Sequence, residues 1–460
     1  MTAPINPQRT TEDYQALDAA HHIHAFVDQK ALNEEGARVM VKGEGLSLWD
    51  NDGKRYLDGM SGLWCTNLGY GRKDLAAAAT RQLEQLPYYN MFFHTTHPAV
   101  IELSELLFSL LPSHYSHAIY TNSGSEGNEV LIRTVRRYWQ VLGKPQKKIM
   151  IGRWNGYHGS TLASTALGGM GFMHEMGGML PDFAHIGEPY YFADGGDMTP
   201  AEFGLKSARE LESKILELGA ENVAAFVAEP FQGAGGMIFP PESYWPEIQR
   251  ICRKYDVLLC ADEVIGGFGR TGEWFAHQHF GFEPDTLTIA KGLTSGYIPM
   301  GGLILSKRMA EVLVEQGGVF AHGLTYSGHP VAAAVAIANL KAIRDEQIVT
   351  QVKNDTGPYL HKALQENFAN HPLIGEIQGT GLVAALQFSE DKASRKRFAN
   401  EGDLTWKCRT YGFEEGVIIR STLGRMIMAP ALVANHADID ELVEKTRRAV
   451  DRTARDLGLL

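Results

Sequence analysis

Short runs of β-branched and apolar residues recur at 117–120, 148–151, 223–228, 257–261, 286–290 and 302–305, with longer stretches of helical pattern between them. Strands that alternate with helices predict a mainly parallel sheet covered on both faces. Ligands of such sheets bind beyond the carboxyl ends of the strands. That is where the order of the chain places Ser123, Ser125, Tyr157, Glu229, Asp262 and Lys291. After Pro330 the texture changes. Residues 331–343 read as a helix, strand–helix alternation then thins, and Ile439, Leu442, Val443, Thr446, Ala449 and Val450 fall on one helical face. The predicted organisation is an α/β large domain over 71–330 and a smaller α+β domain over 331–460, which the segment 1–70 joins. The glycine- and methionine-rich stretch 168–178 predicts a surface loop near the site or an interface.

At 460 residues and 44% hydrophobic content the chain can bury a large core. A formal charge of −11 argues against nucleic acid or an anionic membrane as a partner, since both need a basic face. Cys65, Cys252, Cys260 and Cys408 show no CxxC pair or metal-ligand spacing and read as reduced thiols, two of them (Cys252 and Cys260) in apolar runs. The first thirty residues lack the charged and apolar regions of a secretory signal, and no apolar stretch is long enough to span a bilayer. The expectation is a soluble, cytoplasmic enzyme.

One acid ends an apolar run at Asp262 and one lysine ends the next at Lys291, each followed closely by glycines. A lone lysine is ordinarily a solvated charge, but Lys291 follows a strand pattern and precedes Gly292, which suits a cleft. A desolvated amine has a lowered pKa and attacks an aldehyde. Asp262 alone would be a turn residue. Together the two suit pyridoxal phosphate, the lysine holding it as a Schiff base and the acid holding its ring nitrogen protonated. Asn122-Ser123-Gly124-Ser125-Glu126 opens a helical pattern over 126–139, which could be an ordinary cap or an anion site; beside the Lys–Asp pair, phosphate binding is the better reading. Tyr157, in a loop beside His158, could stack on the cofactor ring, with Val264 on the opposite face. His158 and Glu229 complete the expected cofactor-binding set. Glu263 points to the other face of its strand and reads as structural. His21, His22 and His24, without carboxylate or thiol support, are assigned no metal.

Taken together, Asp58-Gly59-Met60-Ser61-Gly62-Leu63-Trp64, Asn122-Ser123-Gly124-Ser125-Glu126, Tyr157-His158-Gly159, Asp262-Glu263-Val264, Lys291-Gly292 and Thr325-Tyr326-Ser327-Gly328 resemble the class III pyridoxal-phosphate aminotransferases of fold type I. The chain is most similar to the ω-transaminases that use pyruvate, the amine– and polyamine–pyruvate aminotransferases. The resemblance implies catalytic roles for Lys291 and Asp262, phosphate binding by Gly124 and Ser125, and ring stacking by Tyr157 and Val264. It implies that Thr325 reaches the phosphate of a neighbouring subunit, which makes a homodimer the smallest active unit and leaves a tetramer open. Phe92, also from the neighbour, would line the substrate pocket, with Trp64, Leu63 and Phe26 as its apolar wall. Arg420 matches the arginine that grips a substrate carboxylate, with Arg425 as competitor.

Three departures matter. Relatives acting with 2-oxoglutarate carry a glutamate where this chain has Ala234, which leaves the arginine unpaired and makes room for an apolar group. Ile265 replaces the glutamine that meets the cofactor's ring hydroxyl. Gly127 replaces an alanine and is expected to cost a little helix stability and nothing more. The function implied is transfer of an amino group from a primary amine or ω-amino compound to pyruvate, giving alanine. Racemase, aminomutase or decarboxylase chemistry on the same cofactor is the first alternative, and a non-catalytic scaffold the second.

Overall fold

The computed structural model describes residues 9–460. Residues 1–8 of the segment 1–70 lie outside the described residues.

Three strands precede the central sheet in the chain: β1 (Met40–Glu44), β2 (Ser47–Asp50) and β3 (Arg55–Asp58). The central sheet follows, built from β4 (Tyr115–Thr121), β5 (Ile149–Arg153), β6 (Phe183–Ile186), β7 (Val223–Ala228), β8 (Leu258–Asp262), β9 (Thr286–Ile289) and β10 (Gly301–Ser306). Their order is β4-β10-β9-β8-β7-β5-β6. The five strands from β9 to β6 pair in parallel, while β10 runs antiparallel to both its neighbours. The mainly parallel sheet therefore holds. Strand β6 was not among the six runs seen in the sequence; its segment Phe183-Ala184-His185-Ile186 is short and interrupted by a histidine.

Alternation along β7 and β8 splits the core between the two faces of this sheet. Ala225, Val227, Leu258 and Cys260 pack with Val130, Leu131, Val135, Tyr138 and Trp139 of the helix Gly124–Val141. Phe226, Ala228, Leu259 and Ala261 belong to the larger core on the other face. By this parity Asp262 turns toward the helix Gly124–Val141 and Glu263 away from it. Glu263 accepts hydrogen bonds from the N–H groups of Ala276 and His277 (2.9 and 2.7 Å) and meets His277 Nδ1 at 2.9 Å, a structural task as expected.

The remaining strands are β11 (Ile374–Thr380), β12 (Val383–Phe388), β13 (Val417–Ile418), β14 (Arg420–Thr422) and β15 (Arg425–Met428). Strands β11, β12, β15 and β14 form a second sheet, and β13 adds in parallel to β3, joining residues 55–58 to the C-terminal part. The closing helix His436–Asp456 buries the six residues whose spacing predicted its inner face. The stretch 168–178 contains one short helix, Gly171–His174, and exposes Phe172 and Met176.

Gly127 does more than lower helix propensity, contrary to the expectation. A Cβ there would lie 2.8 Å from Thr288 Cγ2 and 3.3 Å from Gly302 O, so at this helix-to-sheet distance an added methyl group would force Thr288 or the helix to shift.

Candidate active site

A cavity of about 340 Å³ opens at the carboxyl ends of β8 and β9, where helix Gly124–Val141 begins. Lys291, Asp262, Ser123, Gly124, Ser125, Tyr157, His158, Glu229 and Val264 all line it. Strand β9 ends at Ile289, and Lys291 opens a 3₁₀ turn with φ +43°. A lysine in this sparsely populated region carries backbone strain, which the surrounding packing must hold. Burial pushes its amine below the ordinary lysine range, opposed by Cys65, Asp262 and Glu229 and reinforced by Arg420.

Asp262 is held at both oxygens. Its Oδ2 accepts from Asn128 Nδ2 (2.8 Å) and meets His158 Nδ1 at 2.8 Å, while Oδ1 accepts from the N–H of Val264 (3.1 Å). Asn128 is fixed in turn: Nδ2 also donates to His158 O (2.7 Å), and Thr288 Oγ1 donates to Asn128 Oδ1 (2.9 Å). At the helix start, Ser123 caps with its hydroxyl accepting from Glu126 N–H at 3.2 Å. The N–H groups of Gly124 and Ser125, in the first turn, have no acceptor within the helix. A Cβ on Gly124 would lie 2.9 Å from Val264 Cγ2, so this turn also needs glycine. Glu229 accepts from the N–H groups of Tyr157 (3.2 Å) and Gly233 (2.8 Å), and burial pushes its carboxyl above the usual range.

These features fit pyridoxal phosphate: a desolvated amine, a fixed carboxylate, and backbone donors at a helix N-terminus beside serine hydroxyls, all on one cavity of suitable size. Ile265 lines the same cavity, so no glutamine side chain is available there.

Beside the cavity, Trp64, Ala234 and Ile265 share an apolar cluster against which Tyr157 packs. Trp64 stands on a tight turn with Ser61, Gly62 and Trp64 all at positive φ. Asp58 holds that turn by accepting from Met60 N–H (2.9 Å), Gly62 N–H (2.5 Å) and Tyr70 OH (2.6 Å). Buried Arg270 ties it to the C-terminal part, donating to Ser61 Oγ, Asn67 Oδ1 and the carbonyls of Leu382 and Pro430. Lys291 Nζ and Arg420 Cζ lie 5.5 and 4.8 Å from the Trp64 ring.

The two candidate arginines separate clearly. Arg425 is fully buried and donates to Glu376 (2.7 Å), Gln387 (2.9 Å), Tyr190 (2.9 Å) and Met237 O (2.7 Å). Arg420 faces Trp64, and among the described residues its guanidinium makes one hydrogen bond, from Nε to Thr422 Oγ1 at 3.2 Å.

Trp64, Ala234 and Arg420 thus stand beside the cavity without lining it, and four further expected residues do not line it within this chain. Leu63, Phe26, Phe92 and Thr325 are all exposed. Phe92 abuts Gly323, where a Cβ would lie 3.0 Å from its ring, and Thr325 O accepts from Tyr88 OH at 2.7 Å. Phe26 makes an edge contact with Phe172, ring centres 6.3 Å apart. Asn128, Thr294 and Met300 line the cavity without having been singled out in the sequence, and Cys65, read there only as a reduced thiol, lines it too. Asn128 could have been found, because it stands one helical turn after Gly124 on the same face. The histidine cluster also needs correction: Asp18 supplies the carboxylate that the sequence pattern did not reveal, meeting His22 Nδ1 at 3.0 Å and His24 Nε2 at 2.6 Å.

Comparison with known proteins agrees with this geometry. The aminotransferase class-III family model matches residues 30–450. A putrescine–pyruvate aminotransferase of Pseudomonas aeruginosa is 53% identical over 445 residues, covering 96% of this chain and 97% of that one. A diaminobutyrate–2-oxoglutarate transaminase of Halomonas elongata is 41% identical over 94% of this chain and 93% of that one. Among solved structures, the ω-transaminase from Pseudomonas jessenii in complex with PMP superposes with a TM-score of 0.94 at 39% identity, over 97% of this chain and 99% of that one. Sequence, fold and site geometry agree that the chain belongs to the class III aminotransferases, pyridoxal-phosphate-dependent transaminases of fold type I.

Proposed function

We propose that this enzyme moves the amino group of a primary amine, with putrescine as the leading donor, to pyruvate, which leaves as alanine. The observation that carries the acceptor is Arg420, a desolvated guanidinium over the Trp64 ring with Ala234 in the adjoining cluster where 2-oxoglutarate-using relatives carry an acid. The donor rests on the 53% identity to a putrescine–pyruvate aminotransferase over nearly the whole of both chains. The acidic chain, at −11, also draws a dication toward it.

Bound pyridoxal phosphate supplies an electron sink for negative charge developing at the amine-bearing carbon. Asp262, kept in place by Asn128 and His158, would hold the cofactor's ring N–H. Gly124 and Ser125 would hold its phosphate through their backbone N–H groups, and Tyr157 and Val264 would pack against its ring. Lys291 Nζ carries the proton off the donor carbon, a task for which its lowered pKa suits it. Trp64 and Ala234 form a wall that excludes water from the uncharged part of the donor, and Arg420 grips the carboxylate of pyruvate with both arms of its fork.

In this reading the working unit is a homodimer in the cytoplasm. Thr325 and Phe92 enter the site of the neighbouring subunit, consistent with their shared exposed surface and with the exposed Phe93 beside them. The same reading keeps a cofactor-binding large domain over 71–330 and a small domain over 331–460, with 1–70 joined to the latter; the pairing of Leu57 with Val417 supports that joining.

Alanine formation from pyruvate and a panel of donors tests the function. Putrescine should lead the panel, and 2-oxoglutarate should serve poorly as acceptor. Cofactor-loaded enzyme that makes no alanine from any amine would end this reading.

A further inference from the structure

We propose that Asp18, His22 and His24 form a three-ligand site for a divalent transition metal, with Zn²⁺ as the ion its chemistry suits best. The helix Thr11–His21 carries Asp18 in its last turns, and His22 caps its end four residues on, donating its backbone N–H to Asp18 O at 2.9 Å. The next turn brings His24 back, held by its backbone N–H on Gln29 Oε1 at 2.9 Å. His22 Nδ1 and His24 Nε2 thereby face the two oxygens of one carboxylate, with the imidazole centres 4.3 Å apart. One ligand atom from each residue lies within 4.8 Å of the others.

Ligand bonds of about 2.0–2.1 Å in a tetrahedron set the ligand atoms roughly 3.3 Å apart, so small side-chain rotations close the site. Two imidazoles and a carboxylate favour Zn²⁺, Co²⁺ or Ni²⁺ over the all-oxygen demands of Ca²⁺ and Mg²⁺. His22 is 64% exposed at its side chain against 24% for Asp18 and 28% for His24, which leaves an open side for a fourth ligand, water. None of its three residues lines the cavity that holds Lys291, and no step of transamination uses them. Its effect would be mechanical: Phe26, two residues after His24 and at φ +56°, sits on the turn that the metal would fasten.

Co²⁺ titration of tag-free, cofactor-loaded protein provides the test, read as difference absorption of low-coordinate cobalt. One Co²⁺ per chain should bind and be displaced by Zn²⁺. Asp18→Asn and His24→Ala should each weaken binding by about tenfold or more, while His21→Ala, next in the chain but outside the cluster, should not. Hydrogen exchange over residues 22–28 should slow when Zn²⁺ is added to the parent and not to His24→Ala. All three positions are near the surface, so unchanged melting and cofactor absorbance will show that the variants fold. Equal affinity in parent and His24→Ala, or no stoichiometric binding at micromolar Co²⁺, would overturn the proposal and leave the cluster as imidazole–carboxylate hydrogen bonding alone.

Discussion

Asn128 Nδ2 donates to Asp262 Oδ2 at 2.8 Å, the same oxygen that His158 Nδ1 meets at 2.8 Å. The carboxylate is thus aimed by two side chains from different elements, one on the helix Gly124–Val141 and one on the loop after β5. Replacing Asn128 by Ala leaves Asp262 with His158 and the Val264 N–H. A hydrogen bond to a charged group contributes about 1.5–3 kcal/mol, so kcat should fall roughly ten- to hundredfold. Because Asn128 acts through Asp262, the pH titration of the bound cofactor's absorbance should move as well. An Asn128→Ala enzyme with unchanged kcat and titration would remove this role.

The two arginines should fail in different ways. Arg420→Leu should leave melting near the parent's while slowing the pyruvate half-reaction on the order of a hundredfold more than the half-reaction with 1-phenylethylamine. Arg425→Leu strands Glu376, whose carboxyl burial already pushes above the usual range, in a half-dry setting. Removing one partner of such a pair costs about 3–5 kcal/mol, so that variant should yield little folded protein. Equal losses in both half-reactions for Arg420→Leu would make its role structural.

Lys291 makes a prediction whose sign runs against habit. Burial lowers its pKa from 10.5, so the apo folded state binds fewer protons than the unfolded state between the folded pKa and 10.5. Below that window the buried ammonium is a destabilising group, and stability recovers as pH rises through it. Apo Lys291→Met should therefore melt a few degrees above the apo parent near neutrality. The gap should close as pH approaches 10.5. Thermal melts of both apo proteins across this range check it, and a gap that widens with pH would refute the assignment.

Gly127→Ala should destabilise the protein, although alanine is the better helix former by about 1 kcal/mol. The added methyl meets Thr288 Cγ2 at 2.8 Å, and overpacking of this kind costs about 1–3 kcal/mol. Thr288 also holds Asn128, so activity should drop along with the denaturant midpoint. A rise in stability would show that the sheet yields more easily than the geometry implies.

The chain's local patterns determined a good deal. Apolar runs that end at Asp262 and Lys291, and the small residues from Ser123 to Ser125, marked strand ends and a helix start. Periodicity is written into neighbouring residues, so the mainly parallel sheet, the closing helix and the residues that meet at one cavity beyond the strand ends were legible in the sequence. Only the tertiary structure decided matters that depend on distance through space. It left Arg420 against Trp64 and tied Arg425 into a buried network; both arginines lie within five residues on adjoining strands, and only packing tells them apart. It enlisted Asn128 through the contact of a helix with β8 and β9, made Gly127 a point of close approach, and brought Asp18 back to two histidines. The arginines and Gly127 rest on contacts between segments far apart in the chain, where residue spacing carries no signal; for Asn128 and Asp18 the spacing shows a face shared with Gly124 and with His22, but not Asp262 or His24 as the partner.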